Sequence, residues 1–238
     1  MKKELIAAIF MVALLLVTGV AALLRTPKSV ETEPVTPEVT EEAEATEVET
    51  TELDFSFLVK SEGQQPKMAD FITAILTQED IGEALGDMGR NWRKFLAGQS
   101  LPKNRSIRLD EKNRYMRFYA SSEEDERFSW SYFIEFCCWD FSDGKHKLVV
   151  SNTVNYDGDG TPVDGQFSGV DFYLYDVATR KMELVSAYSL GAEFEMPEDT
   201  RLLVYRIFNK ERMIECECYT PSGMTPSRLR FNGQTFEN

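Results

Sequence analysis

From Ser106 onward, apolar and polar residues alternate, and short turns interrupt the alternation. A period of two predicts β-strands, because successive side chains of a strand point to opposite faces of a sheet. Strands joined by turns of this length predict hairpins. The five predicted hairpins pair Ile107–Asp110 with Tyr115–Ala120, Phe128–Phe141 with His146–Tyr156, Val170–Asp176 with Met182–Tyr188, Leu202–Phe208 with Met213–Thr220, and Arg228–Phe231 with Gln234–Phe236. Residues 106–238 are therefore predicted to form a mostly antiparallel meander sheet of about 8–10 strands, curled into a sandwich or an open barrel.

Three of these turns share a pattern, in which Asp or Asn precedes a basic turn and a Met enters the next strand. The three Asx residues are Asp110, Asp176 and Asn209. An Asx side chain can bond the turn backbone two residues further on, so shared turn chemistry explains the pattern. A duplicated repeat unit is the alternative interpretation.

Two helices are predicted before the first strand. Pro66 suits a first helical position, and Thr77 suits the N-cap of a second helix that ends at Gly98. The apolar residues of the first helix are Phe71, Ile72, Ile75 and Leu76, and those of the second are Ile81, Leu85, Met88, Trp92, Phe95 and Leu96. Their three- and four-residue spacing predicts two amphipathic helices packed on the sheet, and hence an α+β fold.

The N-terminal segment, residues 1–25, contains twenty consecutive uncharged residues, Leu5 to Leu24. A helix of about 20 apolar residues can cross the hydrocarbon core of a bilayer. The run is also compatible with a removed signal peptide, whose small residues before the cut would be Gly19 and Ala21. We therefore expect membrane attachment through this helix with the following domain outside the cytoplasm, periplasmic or extracellular, or secretion if the segment is cleaved.

Residues 26–54 form an acidic stretch that separates the apolar run from the rest of the chain. Between Ser29 and Asp54 there are nine Glu and one Asp, and there is no Lys or Arg. Such a segment cannot bury enough apolar surface to offset the entropy lost on folding. It is therefore predicted to be a disordered linker.

Residues 55–238 are long enough for one sizeable core and are predicted to form the extracytoplasmic α+β domain. The domain carries a net charge of about −7 out of −14 for the whole chain. This acidic average argues against nucleic acid as a partner.

The aromatic strand Phe128–Phe141 is predicted to lie at the centre of the sheet, covered on both faces in its second half. Trp130 and Tyr132 lie on one face, opposite only Ser129 and Ser131. These two rings are predicted either to belong to the core or to line a ligand patch.

The four cysteines are Cys137, Cys138, Cys216 and Cys218. Because side chains alternate along a strand, Cys216 and Cys218 share a face whereas Cys137 and Cys138 do not. At most one disulfide is therefore predicted, joining Cys137 or Cys138 to Cys216 or Cys218, and four free buried thiols are the alternative. Adjacent cysteines and a one-residue gap do not fit a zinc site.

The loop from Asn155 to Gln166 resembles an EF-hand calcium loop at its start, where Asn155, Asp157 and Asp159 occupy the first, third and fifth positions. Gln166 replaces the bidentate Glu, and a predicted strand rather than a helix precedes the loop. These three residues are a calcium candidate, and an ordinary strand-to-strand loop is the alternative. No other cofactor is indicated.

No catalytic motif is present in the sequence. The single histidine, His146, lies between two lysines and is expected to face solvent. These features favour a binding or structural module of the cell envelope whose partner is an envelope protein or a glycan. An envelope hydrolase that uses a carboxylate pair is the alternative function.

Overall fold

The computed structural model describes residues 56–63, 65–122, 129–165 and 168–238. The predicted anchor and acidic linker lie outside the described residues, and so do Phe55, Phe128 and Gln166. Within the described part, no helix combines the length and the apolar character needed to span a bilayer.

Three short helices precede the first long strand, where two were predicted. They are α1, Met68–Leu76; α2, Glu79–Ala84; and α3, Gly86–Leu96. The predicted second helix is divided at Leu85, whose ψ of 29° is not helical. A Cβ on Gly82 would lie 2.6 Å from the carbonyl oxygen of Leu76, so α2 approaches the end of α1 too closely for any other residue. Thr77 is the C-cap of α1 rather than the N-cap of the next helix.

The first sheet has eight strands, and every described pairing in it is antiparallel. Its strands are β1, Ser56–Leu58; β2, Arg105–Asp110; β3, Tyr115–Ser121; β4, Trp130–Asp140; β5, His146–Asp157; β6, Pro162–Val163; β7, Gly169–Asp176; and β8, Lys181–Val185. Their order is β1-β8-β7-β5-β4-β3-β2, and β6 pairs with β5. The predicted hairpins β2–β3, β4–β5 and β7–β8 are confirmed, whereas β1 and β6 were not predicted.

The remaining strands form a second, separate antiparallel sheet, where a meander sheet curled into a sandwich or an open barrel was predicted. They are β9, Leu202–Phe208; β10, Met213–Thr220; β11, Gly223–Phe231; and β12, Phe236–Glu237. The meander is interrupted between β8 and β9, where a 3₁₀ turn, Tyr188–Leu190, and the following residues bury Leu190 and Ala192. The described fold is therefore mostly antiparallel β with three short helices and two open sheets of eight and four strands.

The two faces of the eight-stranded sheet contact different elements. Ile134, Phe136 and Cys138 of β4 belong to a core cluster shared with the helices. Cys137 and Trp139 face the other way and belong to a cluster shared with the second sheet. The prediction that β4 is central and covered on both faces is therefore confirmed.

The second sheet meets the first along strand β9. Val204 packs with Phe133 and Val154 of the first sheet, whereas its neighbour Tyr205 joins the cluster on the other side of β9. Between them, the side-chain amide of Asn152 donates a hydrogen bond of 2.8 Å to the main-chain carbonyl of Tyr205. The outer edge of β9 is therefore turned toward the first sheet, which satisfies a carbonyl that an edge strand leaves unpaired.

The three similar turns share a backbone feature that the sequence pattern did not show. In each turn, the residue directly before the next strand is an arginine with a positive φ angle: 51° at Arg114, 58° at Arg180 and 51° at Arg212. Asx side chains bond the turn backbone at two turns, as predicted, but three residues further on rather than two: Asp110 accepts from the backbone N–H of Asn113, and Asp176 accepts from that of Thr179.

The third turn uses its Asx residue differently. The side-chain oxygen of Asn209 accepts a hydrogen bond from the indole N–H of Trp139 at 2.9 Å, and its amide donates to the carbonyl of Asn113. Asn209 thus ties the β9–β10 turn to β4 and to the β2–β3 turn, which are distant in sequence.

Glu111, in the β2–β3 turn, caps the first helix from a distance. Its two carboxylate oxygens accept hydrogen bonds from the N–H groups of Met68 and Ala69 at 2.8 and 3.0 Å. These N–H groups have no partner within the helix, and a negative charge at a helix N-terminus is favourable.

We expect Glu111→Ala to lower the free energy of unfolding by about 1–2 kcal/mol, because it removes both acceptors from the first turn of α1. Glu111→Gln retains one side-chain oxygen and is expected to have about half that effect. Urea unfolding followed by circular dichroism measures both values. Equal stability of Glu111→Ala and the unmodified chain would show that water replaces the cap at no cost.

Candidate functional site

Residues 88–108 carry a concentration of positive charge that the domain average conceals. The segment contains six basic residues and no acidic residue. They are Arg90, Arg93, Lys94, Lys103, Arg105 and Arg108. The net charge of the whole domain does not reveal this segment, whereas the net charge of short sequence windows does.

A groove of about 550 Å³ lies along α3 and the segment that follows it. It is lined by Asp87, Arg90, Asn91, Arg93, Lys94, Ala97, Gln99 and Pro102. Gly98 shapes this groove because its φ of 67° ends α3 and reverses the chain. The N–H of Gln99 then bonds the carbonyl of Lys94 at 2.9 Å, the hydrogen bond of a Schellman motif. The prediction that Gly98 ends the helix is confirmed.

Among the described residues that line this groove, Asp87 is the one carboxylate, and its charge is already paired. Its Oδ2 accepts from Nε of Arg105 at 2.6 Å and from the hydroxyl of Tyr132 at 3.3 Å. Its Oδ1 accepts from the amide of Asn91 at 3.1 Å and lies 3.4 Å from Arg90. The described lining of the groove therefore carries a net positive charge.

Arg93 and Lys94 supply the charge that remains available. Both side chains are exposed, and neither forms an ion pair with any residue in the described ranges. Exposed cations without a partner cost little free energy in water and can bind an anion without first breaking a salt bridge.

Trp130 and Tyr132, the predicted ligand patch, lie beside this groove. Their rings are stacked with centroids 5.7 Å apart, and the guanidinium of Arg105 lies 5.5 Å from the centre of the Trp130 ring. Burial, followed by the charge of Asp87, raises the pKa of Tyr132 to about 12. Both rings also pack against the helix-side core. The structure thus connects the aromatic pair to the groove through Arg105 and Asp87, and its role as a ligand patch stays a prediction.

A second groove, of about 560 Å³, lies at the start of the domain. Its lining residues are Lys60, Ser61, Glu62, Gly63, Lys67 and Asp70. Positive and negative side chains alternate there, and Asp70 accepts a hydrogen bond from the N–H of Lys67. This mixture of charges favours neither a cationic nor an anionic ligand.

The calcium candidate forms a tight hairpin between β5 and β6. The carboxylate of Asp157 accepts hydrogen bonds from the N–H groups of Asp159 and Thr161, and the amide of Asn155 donates to the hydroxyl of Ser168 at 2.7 Å. These contacts explain the Asp and Gly residues as turn residues. Across the described ranges, no three acidic, Cys or His side chains are grouped so that they could hold a metal ion. The calcium site stays a hypothesis.

All four cysteines are buried thiols. Cys137 and Cys138 belong to different core clusters, as the alternation along β4 predicts. The sulfur atoms of Cys216 and Cys218 lie 3.9 Å apart on one face of β10. Burial raises the pKa of the Cys138 thiol to about 11 and that of Cys137 well above its usual value, which makes them poor nucleophiles. The predicted disulfide between the two pairs stays a prediction.

The buried carboxylates lie in the sheets, away from the α3 groove. Glu135, Glu215 and Glu217 are each 7% exposed. Glu215 is bound by Arg228 and Glu217 by Arg206, while Glu135 accepts a hydrogen bond from the hydroxyl of Tyr115. Burial raises the pKa of Tyr115, so it stays a neutral donor. Each carboxylate therefore has a structural partner.

His146 is half-buried between two acidic turns rather than freely exposed. Its Nδ1 lies 2.5 Å from Asp143, and its Nε2 lies 3.5 Å from Asp176. The expectation of a solvent-facing histidine missed these contacts, because Asp176 lies on a turn that is thirty residues away in sequence. No Ser, Thr or Cys side chain is hydrogen-bonded to the ring in the part of the chain that the structure describes.

Comparison with known proteins gives no match to a family model, to a curated protein or to a solved structure.

Proposed function

We propose that residues 55–238 form a binding module of the cell envelope that binds an anionic partner, an envelope protein or a glycan, along the α3 groove. The N-terminal helix would hold the module at the membrane, outside the cytoplasm, or release it in secreted form after cleavage. Membrane attachment and secretion after cleavage are both inferred from the sequence alone.

The unpaired cations of the groove carry this proposal. Arg93 and Lys94 present two positive charges on a domain whose net charge is about −7. An anionic ligand is repelled by most of such a surface and attracted to this part of it, so its approach is directed to the groove. The acidic remainder also disfavours long nucleic acids, which would contact far more than one groove.

The groove supports binding better than hydrolysis. Glycoside hydrolysis requires two carboxyl groups about 5–9.5 Å apart on either side of the scissile bond. The described lining of the α3 groove includes one carboxylate, Asp87, and Arg105 already binds it. The hydrolase alternative would need a second acid in the same cleft.

The test uses the 238-residue chain in detergent and two labelled probes, polyglutamate for an acidic protein and polygalacturonate for an acidic glycan. We expect the double variant R93E/K94E to weaken binding of the preferred probe by about tenfold or more, because attraction at two positions becomes repulsion. Fluorescence anisotropy measures the affinity, and the probe that binds identifies the class of partner.

The matched control is K145E/K210E, which makes the same charge change at two exposed turn residues outside the groove. We expect it to change the affinity by less than about threefold. Equal losses in the two double variants would mean that net charge alone governs binding, and would contradict a site in the groove. Failure of both probes to bind the unmodified chain would contradict the proposal as well.

A further inference from the structure

We propose that the outer edge of β2 binds an extended acidic polypeptide segment, which adds to the eight-stranded sheet as a further strand. This inference rests on the proposed function and names the class of partner, because β2 borders the α3 groove through the Arg105–Asp87 contact.

The edge is open in the part of the chain that the structure describes. Strand β2 is the last strand of its sheet and pairs only with β3. The N–H of Ser121 donates a hydrogen bond to the carbonyl of Asn104, which identifies the residues of β2 whose main-chain groups are bonded to β3. Since antiparallel pairs alternate between bonded and non-bonded positions, the main-chain groups of Ile107 and Leu109 point away from β3. No hydrogen bond to these groups is recorded among the described residues.

Positive charge lies on both sides of this edge. On the helix side are Arg93 and Lys94 of the α3 groove, whereas Arg105 is paired with Asp87. On the opposite face, Arg108 is paired directly with Arg117 of β3. Like charges directly opposite each other on adjacent strands are unfavourable, and an anion placed beside them removes that cost. Arg108 is exposed and has no ion pair with a described residue, while Arg117 lies 3.8 Å from Glu135.

The arrangement fits a polypeptide better than a glycan. A row of outward N–H and C=O groups at alternate residues matches the donors and acceptors of another main chain, which a sugar polymer does not reproduce. Acidic side chains that alternate between the two faces of an added strand would then reach Arg108 on one face and the α3 cations on the other. Charge and backbone together therefore select an extended acidic segment.

A second copy of this chain fits the edge poorly. Two β2 strands paired antiparallel about Ile107 would place Arg108 of one copy diagonally next to Arg108 of the other, with Arg117 adjacent in each copy. Four arginines would then lie on one face of the interface, and their mutual repulsion opposes self-association.

The test measures binding of a fluorescein-labelled peptide of alternating Thr and Glu to the 238-residue chain in detergent. Ile107→Pro removes the outward N–H but leaves the pairing with β3 intact, because proline is tolerated on the open side of an edge strand. We expect this variant to bind the peptide at least about tenfold more weakly. Ile107→Ala is the matched control, since it loses the same side-chain packing and keeps the N–H; we expect a change of less than about threefold.

A second comparison leaves the protein unchanged. The same peptide with alternate amides N-methylated has the same charge but cannot form the ladder on one edge, and we expect its affinity to fall by at least about tenfold. Hydrogen exchange of residues 105–110 should slow when the unmethylated peptide binds, because the outward amides become bonded.

Three results would overturn the inference. Equal affinity for the methylated and unmethylated peptides would show that the peptide is attracted by charge and does not add as a strand. In that case, loss of peptide binding in R93E/K94E would still support the proposed function of the groove. Binding of polygalacturonate but of no acidic peptide would assign the groove to a glycan. Equal binding of the peptide by Ile107→Pro and Ile107→Ala would show that the outward N–H of Ile107 takes no part in binding.

Discussion

Trp139→Ala is expected to lower the free energy of unfolding by about 3–5 kcal/mol, because it removes a large buried side chain between the two sheets and leaves a cavity there. Trp139 is 2% exposed. Its ring lies 5.9 Å from that of Phe231 and 6.1 Å from that of Phe236, so a residue of the first sheet anchors two strands of the second. Its indole N–H is also bonded to Asn209. A loss of this size is a large part of the stability of a typical domain, about 5–15 kcal/mol.

Trp139→Phe is the matched comparison for this prediction. It keeps an aromatic ring against Phe231 and removes the hydrogen bond to Asn209, so we expect a loss of about 1–3 kcal/mol. Urea unfolding at low temperature, followed by circular dichroism, measures both variants. If Trp139→Ala changes the unfolding free energy by less than about 1 kcal/mol, the two sheets do not depend on this contact.

Asn152→Asp is expected to destabilise the fold by about 3 kcal/mol or more at neutral pH, because it places a negative charge in a site with no exposure to solvent. The amide of Asn152 donates to the carbonyl of Tyr205 at 2.8 Å and lies 3.5 Å from the carboxylate of Glu135. An aspartate has no donor for the carbonyl and repels Glu135. The side-chain oxygen of Asn152 already lacks a hydrogen-bond partner among the described residues, so the site offers an added charge no compensation.

The effect of Asn152→Asp depends on pH in a defined direction. Burial and the neighbouring carboxylate favour the neutral acid, so the folded state holds its proton to a higher pH than the unfolded state does. The penalty is therefore larger at pH 7 and shrinks as the pH falls toward the range in which the unfolded chain is also protonated, about pH 4.

Thermal melting at pH 7 and at pH 4.5 tests this pH dependence. We expect the difference in Tm between the unmodified chain and Asn152→Asp to be clearly smaller at the lower pH. Asn232→Asp provides the exposed control: its side-chain oxygen accepts two backbone hydrogen bonds that a carboxylate can also accept, and its amide donates to Glu237 at 3.0 Å, so the variant places the same kind of carboxylate pair in contact with water. A Tm difference for Asn152→Asp that is the same at both pH values would indicate a steric effect rather than a buried charge.

The sequence was most informative where structure depends on near neighbours. The alternation in β4 predicted that Cys137 and Cys138 face opposite layers, and the short turns predicted four of the strand pairings and the turn at Asn232. Turn chemistry also predicted the roles of Asp110 and Asp176. Each of these features is decided within a few residues, by strand period or by a side chain that bonds its own turn.

The candidate site was not predicted as a unit, because its parts meet only in the folded chain. Trp130 and Tyr132 were singled out as a patch, but nothing in their neighbourhood indicated Asp87, which lies more than forty residues earlier and contacts Tyr132 and Arg105. The six basic residues of segment 88–108 could have been counted in the sequence. The sequence could not show which of these six side chains lack an ion-pair partner, because that depends on the position of Asp87 in the folded chain.

What the sequence by itself determined is the strand-rich character of the domain, its hairpins and the two-sided burial of β4, since period and turn residues act locally. Only the tertiary structure decided that the strands divide into two sheets, that Asn152 bonds the edge of β9, and that Glu111 caps α1. The physical reason is that a hydrophobic period states which side chains leave water, but not which surface they will meet. Partners for buried polar groups and unpaired charges are settled by contacts between residues far apart in the chain.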